Sequence, residues 1–108
     1  MTDDVRNESA RRKSAEEALA AARDLMRRAV AAIERGELAV EDFAQTTAKQ
    51  LQPPLAAVRA FARALRTQSE PASAETLAFA DRIDAEAAYV QAQIAEQLAK
   101  GGQPPPAQ

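Results

Sequence analysis

The chain has 108 residues, 46% hydrophobic, 28% charged and 4% aromatic, with a formal charge of −2. It has no histidine, cysteine or tryptophan and only three glycines, so disulfides, His- or Cys-ligated metals and glycine-rich phosphate loops have nothing to be built from. No metal and no cofactor is expected, the charge sets nucleic acid aside as main partner, and the alanine-rich composition points to one small all-α domain.

Residues 1–8 are polar and expected to fray. They lack the apolar segment of a signal peptide, and no run approaches the roughly 20 apolar residues that span a bilayer. A cytoplasmic chain with no membrane partner is the expectation. Over residues 9–37 the basic Arg11, Arg12, Lys13, Arg23, Arg27 and Arg28 are interleaved with Glu16, Glu17 and Asp24. Pairs four apart, such as Arg12–Glu16 and Asp24–Arg28, suit a solvated helix face better than a phosphate site.

Beneath those charges runs an alternating four-three spacing: Ala15, Leu19, Ala22, Met26, Ala29, Ile33, Gly36, Val40, Phe43 and Thr47. It resumes after Leu51 through Pro54, Val58, Phe61 and Leu65. This is the seam of helices that pair along their length. Gly36 lies on it and costs a helix about 1 kcal/mol against alanine, but the phase continues on both sides. One long helix is therefore expected, with a break at Gly36 as the second reading. Pro53 and Pro54 remove two backbone donors and predict a kink over 48–51.

Residues 67–71 (TQSEP) end this helix, and Ser73 is placed to cap the next, with Glu75 in its first turn. The second helix is expected to reach about Lys100, with the stripe Thr76, Phe79, Ile83, Ala87, Val90, Ile94 and Leu98, and with Tyr89 to one side. In an antiparallel hairpin over 38–100, Leu65 faces Thr76, Val58 faces Ile83, Leu51 faces Val90 and Phe43 faces Leu98. A two-helix hairpin leaves a flank open, so a homodimeric four-helix bundle is expected, extended by the N-terminal heptads as a parallel coiled coil. Residues 101–108 (GGQPPPAQ) read as a disordered tail.

The window Phe43 to Leu55, FAQTTAKQLQPPL, resembles the phosphoacceptor box of sensor histidine kinases. From about residue 38 to 100 the chain is similar to their dimerisation and histidine-phosphotransfer domain, most nearly the phytochrome-type group with its Ser-His-Asp-Leu-Gln-x-Pro-Leu box. Here that stretch is Ala48-Lys49-Gln50-Leu51-Gln52-Pro53-Pro54-Leu55. The shape-giving Phe43, Leu51, Pro54 and Leu55 match. The two positions that do chemistry do not: Lys49 stands at the phosphoacceptor and Gln50 at the adjacent acid. A protonated ammonium is a poor nucleophile and an amide offers no base.

The resemblance therefore implies a dimerisation module without catalysis, in which 9–37 would be a signalling-type helix. It also implies a docking face for a response regulator or an intact sensor kinase, formed by Lys49, Gln52, Arg59, Arg63 and Arg66. The arginines have a plainer reading as a solvated stripe paired with Glu75, Asp81 or Asp84. A purely structural homodimeric bundle, without a signalling partner, stays open beside the adaptor. The seam in either case is Leu19, Met26, Ile33, Val40, Phe43, Leu51, Val58, Phe61, Leu65, Phe79, Ile83, Val90, Ile94 and Leu98.

Overall fold

The computed structural model describes residues 2–68 and 73–102, with side chains over 7–67 and 73–100. Among these the chain is all-α. Helix α1 spans Thr2–Glu34, α2 spans Val40–Asp42, a π-helical turn covers Phe43–Thr47, α3 spans Ala48–Gln68 and α4 spans Ala74–Gly102. The short α2, the π turn and α3 are continuous in sequence, so the fold is three long rods in a body of 64 × 22 × 17 Å. Helix α1 begins inside the stretch expected to fray. Residues 69–72 and 103–108, which hold most of the expected interhelical loop and tail, lie outside the described residues. No described helix is long and apolar enough to cross a membrane.

The unbroken helix expected across Gly36 is not formed. Gly36 adopts φ +73°, the only positive φ among the described residues. The N–H of Gly36 donates to the carbonyl of Ile33 at 3.0 Å and that of Glu37 to Ala32 at 2.8 Å. Together these are the paired bonds of a Schellman cap, which needs a left-handed residue just past the helix and takes glycine for want of a Cβ. The Arg35 guanidinium spans the turn, donating to both carboxylate oxygens of Glu37 at 3.0 Å. The chain then reverses, and Leu38 packs back on the core.

After the reversal α1 lies antiparallel to the 40–68 rod and parallel to α4. Its contacts with α4 advance together: Arg12 Nη2 donates to Thr76 Oγ1 at 3.0 Å, Glu16 pairs with Arg82, and Arg23 with Glu86 at 3.6 Å. The α3 and α4 contacts run oppositely, Arg59 to Asp84 and Arg66 to Asp81, as an antiparallel hairpin requires. The flank that a two-helix reading leaves for a second copy is thus filled by α1 of the same chain. Ala15, Leu19, Ala22, Met26 and Ala29, the seam of the expected coiled-coil extension, are buried within one chain. The small Ala15, Ala22 and Ala29 let α1 settle close into the hairpin groove, while Leu19 and Met26 fill it.

The π turn resets the core register. Phe43 and Ala48 are both buried and five residues apart, and the N–H of Ala48 donates to the Phe43 carbonyl across the wide turn. The Thr46 hydroxyl donates to the Asp42 carbonyl at 2.7 Å, a back-bond that competes with the ordinary helical ladder. Beyond it the buried positions are Leu51, Leu55, Val58, Ala62 and Leu65. Leu55 and Ala62 take the core places that even spacing assigns to Pro54 and Phe61, which are half-buried. The irregular backbone lies at 43–47, upstream of the expected 48–51, and α3 runs on through both prolines.

On α4 the core residues are Ala80, Ile83, Ala87, Val90 and Ile94. Ile33, Val40, Phe61, Phe79 and Leu98, all on the expected seam, are half-buried at its margin. Phe43, Met26, Leu51, Leu55, Ile83, Ile94 and Val90 are the largest fully enclosed side chains. Each contributes roughly 1.5–3 kcal/mol by leaving water. Ser73 caps α4 as expected, its Oγ accepting the N–H of Thr76 at 3.0 Å. Its own hydroxyl donates to Thr76 Oγ1 at 2.9 Å, so cap, α4 and Arg12 of α1 form one network.

Candidate docking face

Spacings of three and four place Lys49, Gln52, Ala56, Arg59, Arg63 and Arg66 along a single stripe of α3. The π turn and the buried Phe43, Leu51 and Leu55 hold this stripe outward. Lys49, Gln50 and Gln52 are exposed. Pro53 and Pro54 have no N–H to give the carbonyls of Lys49 and Gln50, so this is the turn of α3 with the fewest internal backbone bonds. Lys49 Nζ reaches Gln45 Oε1 at 3.5 Å, a contact too long to restrain it much. The hydroxyl of Thr46, the nearest exposed nucleophile type, is turned onto the backbone of Asp42.

The arginines of the stripe divide. Arg59 is half-buried, its Nε donating to Asp84 at 2.8 Å and its Nη1 to Gln91 Oε1 at 2.9 Å. Arg66 pairs with Asp81 and lies 3.9 Å from Asp84. Both therefore belong to the α3–α4 joint, where their hydrogen bonds fix the hairpin register. Arg63 is exposed and forms no ion pair among the described residues. Lys49, Gln52 and Arg63 are the exposed side chains of the stripe that no acid pairs with among the described residues.

A cluster between α1 and α4 has no counterpart in the sequence reading. Phe79 is flanked by two guanidinium groups, with the Arg12 carbon 5.1 Å and the Arg82 carbon 5.2 Å from its ring centroid. The Glu16 hydrogen bond raises the Arg82 pKa above its ordinary value, with modest desolvation opposing it. The guanidinium stays charged over the whole working pH range. Arg12 and Glu16 reach this ring from a different helix, so spacing within one helix carries no signal of the cluster.

Two grooves flank α1. One of about 500 Å³ separates it from α4 and is lined by Arg23, Arg27, Val30, Glu34 and the exposed Tyr89. A smaller apolar one of about 280 Å³ separates it from α3, between Ala15 and Ala18 on one wall and Pro54, Val58 and Phe61 on the other. Among the described residues no group of three His, Cys, Asp or Glu side chains is placed to hold a metal ion. No protein family, curated protein or solved structure matches the chain.

Proposed function

We propose that the chain is a non-catalytic helical module that binds a protein partner through the outer face of α3, with a response regulator or an intact sensor kinase as that partner. One observation carries the reading: Phe43, Leu51 and Leu55 are enclosed while Lys49 and Gln50 stand outward beside them. Such an arrangement keeps the shape of the phosphoacceptor box that the sequence resembles and presents in its place side chains suited to hydrogen bonding and charge pairing. A cytoplasmic setting goes with this proposal.

The commitment of Arg59 and Arg66 to Asp84 and Asp81 favours a second reading, a structural helical bundle whose arginines hold the hairpin together. The two separate in a binding titration. Receiver domains and sensor-kinase dimerisation domains from the source organism are titrated against the isotopically labelled full chain and against Lys49→Glu/Arg63→Glu. The adaptor reading expects amide shifts along 45–63 for one partner, lost in the double variant. An undisturbed spectrum with every partner leaves the structural bundle.

A further inference from the structure

We propose that the groove between α3 and α4 is an interaction surface for α1 of a second copy of this chain. Two molecules exchange α1 by straightening at Gly36, and a two-fold dimer results. The inference goes beyond the adaptor reading and does not rest on it.

The occupant is identified by the groove itself. Helix α1 meets the hairpin through contacts that depend on its own sequence: Arg12 to Thr76, Glu16 to Arg82, Arg23 to Glu86, and two guanidiniums about Phe79. A second copy satisfies every one of them without new complementarity, which is why exchange of an identical element is a low-cost route to dimers. Only the turn must change.

The turn is built so that it can. Gly36 is the one described residue with positive φ, and a Cβ placed on it meets nothing within 4 Å. Alanine at 36 is therefore opposed by the backbone conformation of the turn and not by a clash of its Cβ. The heptad phase also runs through the turn, from Ala29, Ile33 and Gly36 to Val40 and Phe43. The folded-back chain buries Ala29 and Phe43 but leaves Gly36 exposed and Ile33 and Val40 only half-buried. In a straightened helix these residues return to one stripe. Two copies meeting across a two-fold axis at Gly36 would place Ile33 and Val40 of one against the same stripe of the other, giving the exchanged dimer the burial that replaces the lost cap. A short turn between two helices of one phase is the kind of hinge that invites exchange.

The test uses the full chain, which has no native cysteine. Gly36→Ala penalises the left-handed turn by roughly a factor of ten per chain and favours the straight helix. Light scattering on the purified variant should show dimers, with a dissociation constant about a hundred-fold below that of the parent because the change acts twice. Gly36→Asn, which tolerates positive φ, should stay close to the parent. A cysteine pair at Glu16→Cys and Arg82→Cys, joined by a bis-maleimide linker long enough to span the ion pair it replaces, reports which copy supplies α1. Linked at low concentration, it should close within one chain in the Gly36 parent and between two chains in Gly36→Ala. A helical, monomeric Gly36→Ala overturns the proposal. So does a dimer whose cross-link remains within one chain, or a variant that loses its helices, because an exchanged dimer keeps every contact between the helices. None of these outcomes bears on receiver binding.

Discussion

Arg59 and Asp84 join the two arms of the hairpin: the guanidinium Nε donates to the carboxylate at 2.8 Å, and both side chains are largely covered. Of the two readings the sequence leaves open for this arginine, a docking face or a pair with an acid such as Asp84, the structure shows the pair, at the joint between α3 and α4. Partial burial shortens the reach of salt screening, and Gln91 holds the other edge of the same guanidinium. A urea double-mutant cycle with Arg59→Ala and Asp84→Ala should give a coupling of about 1 kcal/mol, toward the upper end for a pair this close to solvent. A coupling indistinguishable from zero would make the pair decoration.

Arg63 should behave differently. It is exposed, and its replacement by glutamate is expected to move stability by no more than about 0.5 kcal/mol. Arg59→Glu brings a second carboxylate to Asp84 and should cost well above that, about 2 kcal/mol or more. Thermal melts of the two single variants check the contrast, with each kcal/mol worth roughly 4–8 °C at this size. Equal losses would mean that Arg63 has a structural partner.

The π turn makes a register prediction. Ala62 is fully buried and Ala60 exposed. Leucine at 62 overpacks the centre of the bundle and should cost about 1–3 kcal/mol, whereas leucine at 60 should be nearly neutral. Were even heptad spacing maintained through residue 47, Phe61 would hold the centre and the two variants would differ little.

Phe43 anchors the turn and is fully enclosed. Phe43→Ala should lose about 3–5 kcal/mol in chemical denaturation. Phe79→Leu should lose less, about 1 kcal/mol, because leucine keeps much of the apolar burial and gives up the two cation–π contacts. Arg12→Ala in the Phe79→Leu background should then cost less than it does in the parent. Additive losses would show that the ring and the guanidinium act independently.

Chemistry at the box is testable directly. Incubated with ATP and a sensor-kinase catalytic domain, the chain should acquire no acid-labile phosphate. Lys49 lacks the imidazole nitrogen on which transfer depends, and the Thr46 hydroxyl is bonded to the Asp42 carbonyl. Labelling of the parent chain would refute the non-catalytic reading. Lys49→His/Gln50→Asp is the variant in which acceptance should first appear.

How far the sequence reaches is clear from individual residues. Leu19, Met26, Val58, Ile83, Val90 and Ile94 are legible as core because helix periodicity is local, and hydrophobic burial on one face follows from it whatever the neighbouring helix is. The cap at Ser73 is legible for the same reason, needing only a hydroxyl three residues before a free N–H. The Gly36 cap was also within reach, since a glycine closing a periodic stretch is a stop signal. An uninterrupted heptad phase argues against stopping there. The balance between a straight helix and a capped turn depends on what α1 can pack against, which no local pattern contains.

The sequence by itself determined an all-helical chain, most of its apolar periodicity, and that no histidine or cysteine chemistry is available. Only the tertiary structure decided that α1 fills the hairpin groove, that Leu55 and Ala62 are central while Pro54 and Phe61 stand aside, and that Arg59 and Arg66 are committed where Arg63 is open. Apolar faces state that burial must occur and leave the partner unspecified. The partner is selected by the fit of Ala15, Ala22 and Ala29 into the groove, by one glycine that lets the chain turn back, and by charges that find their opposites only once the helices are side by side.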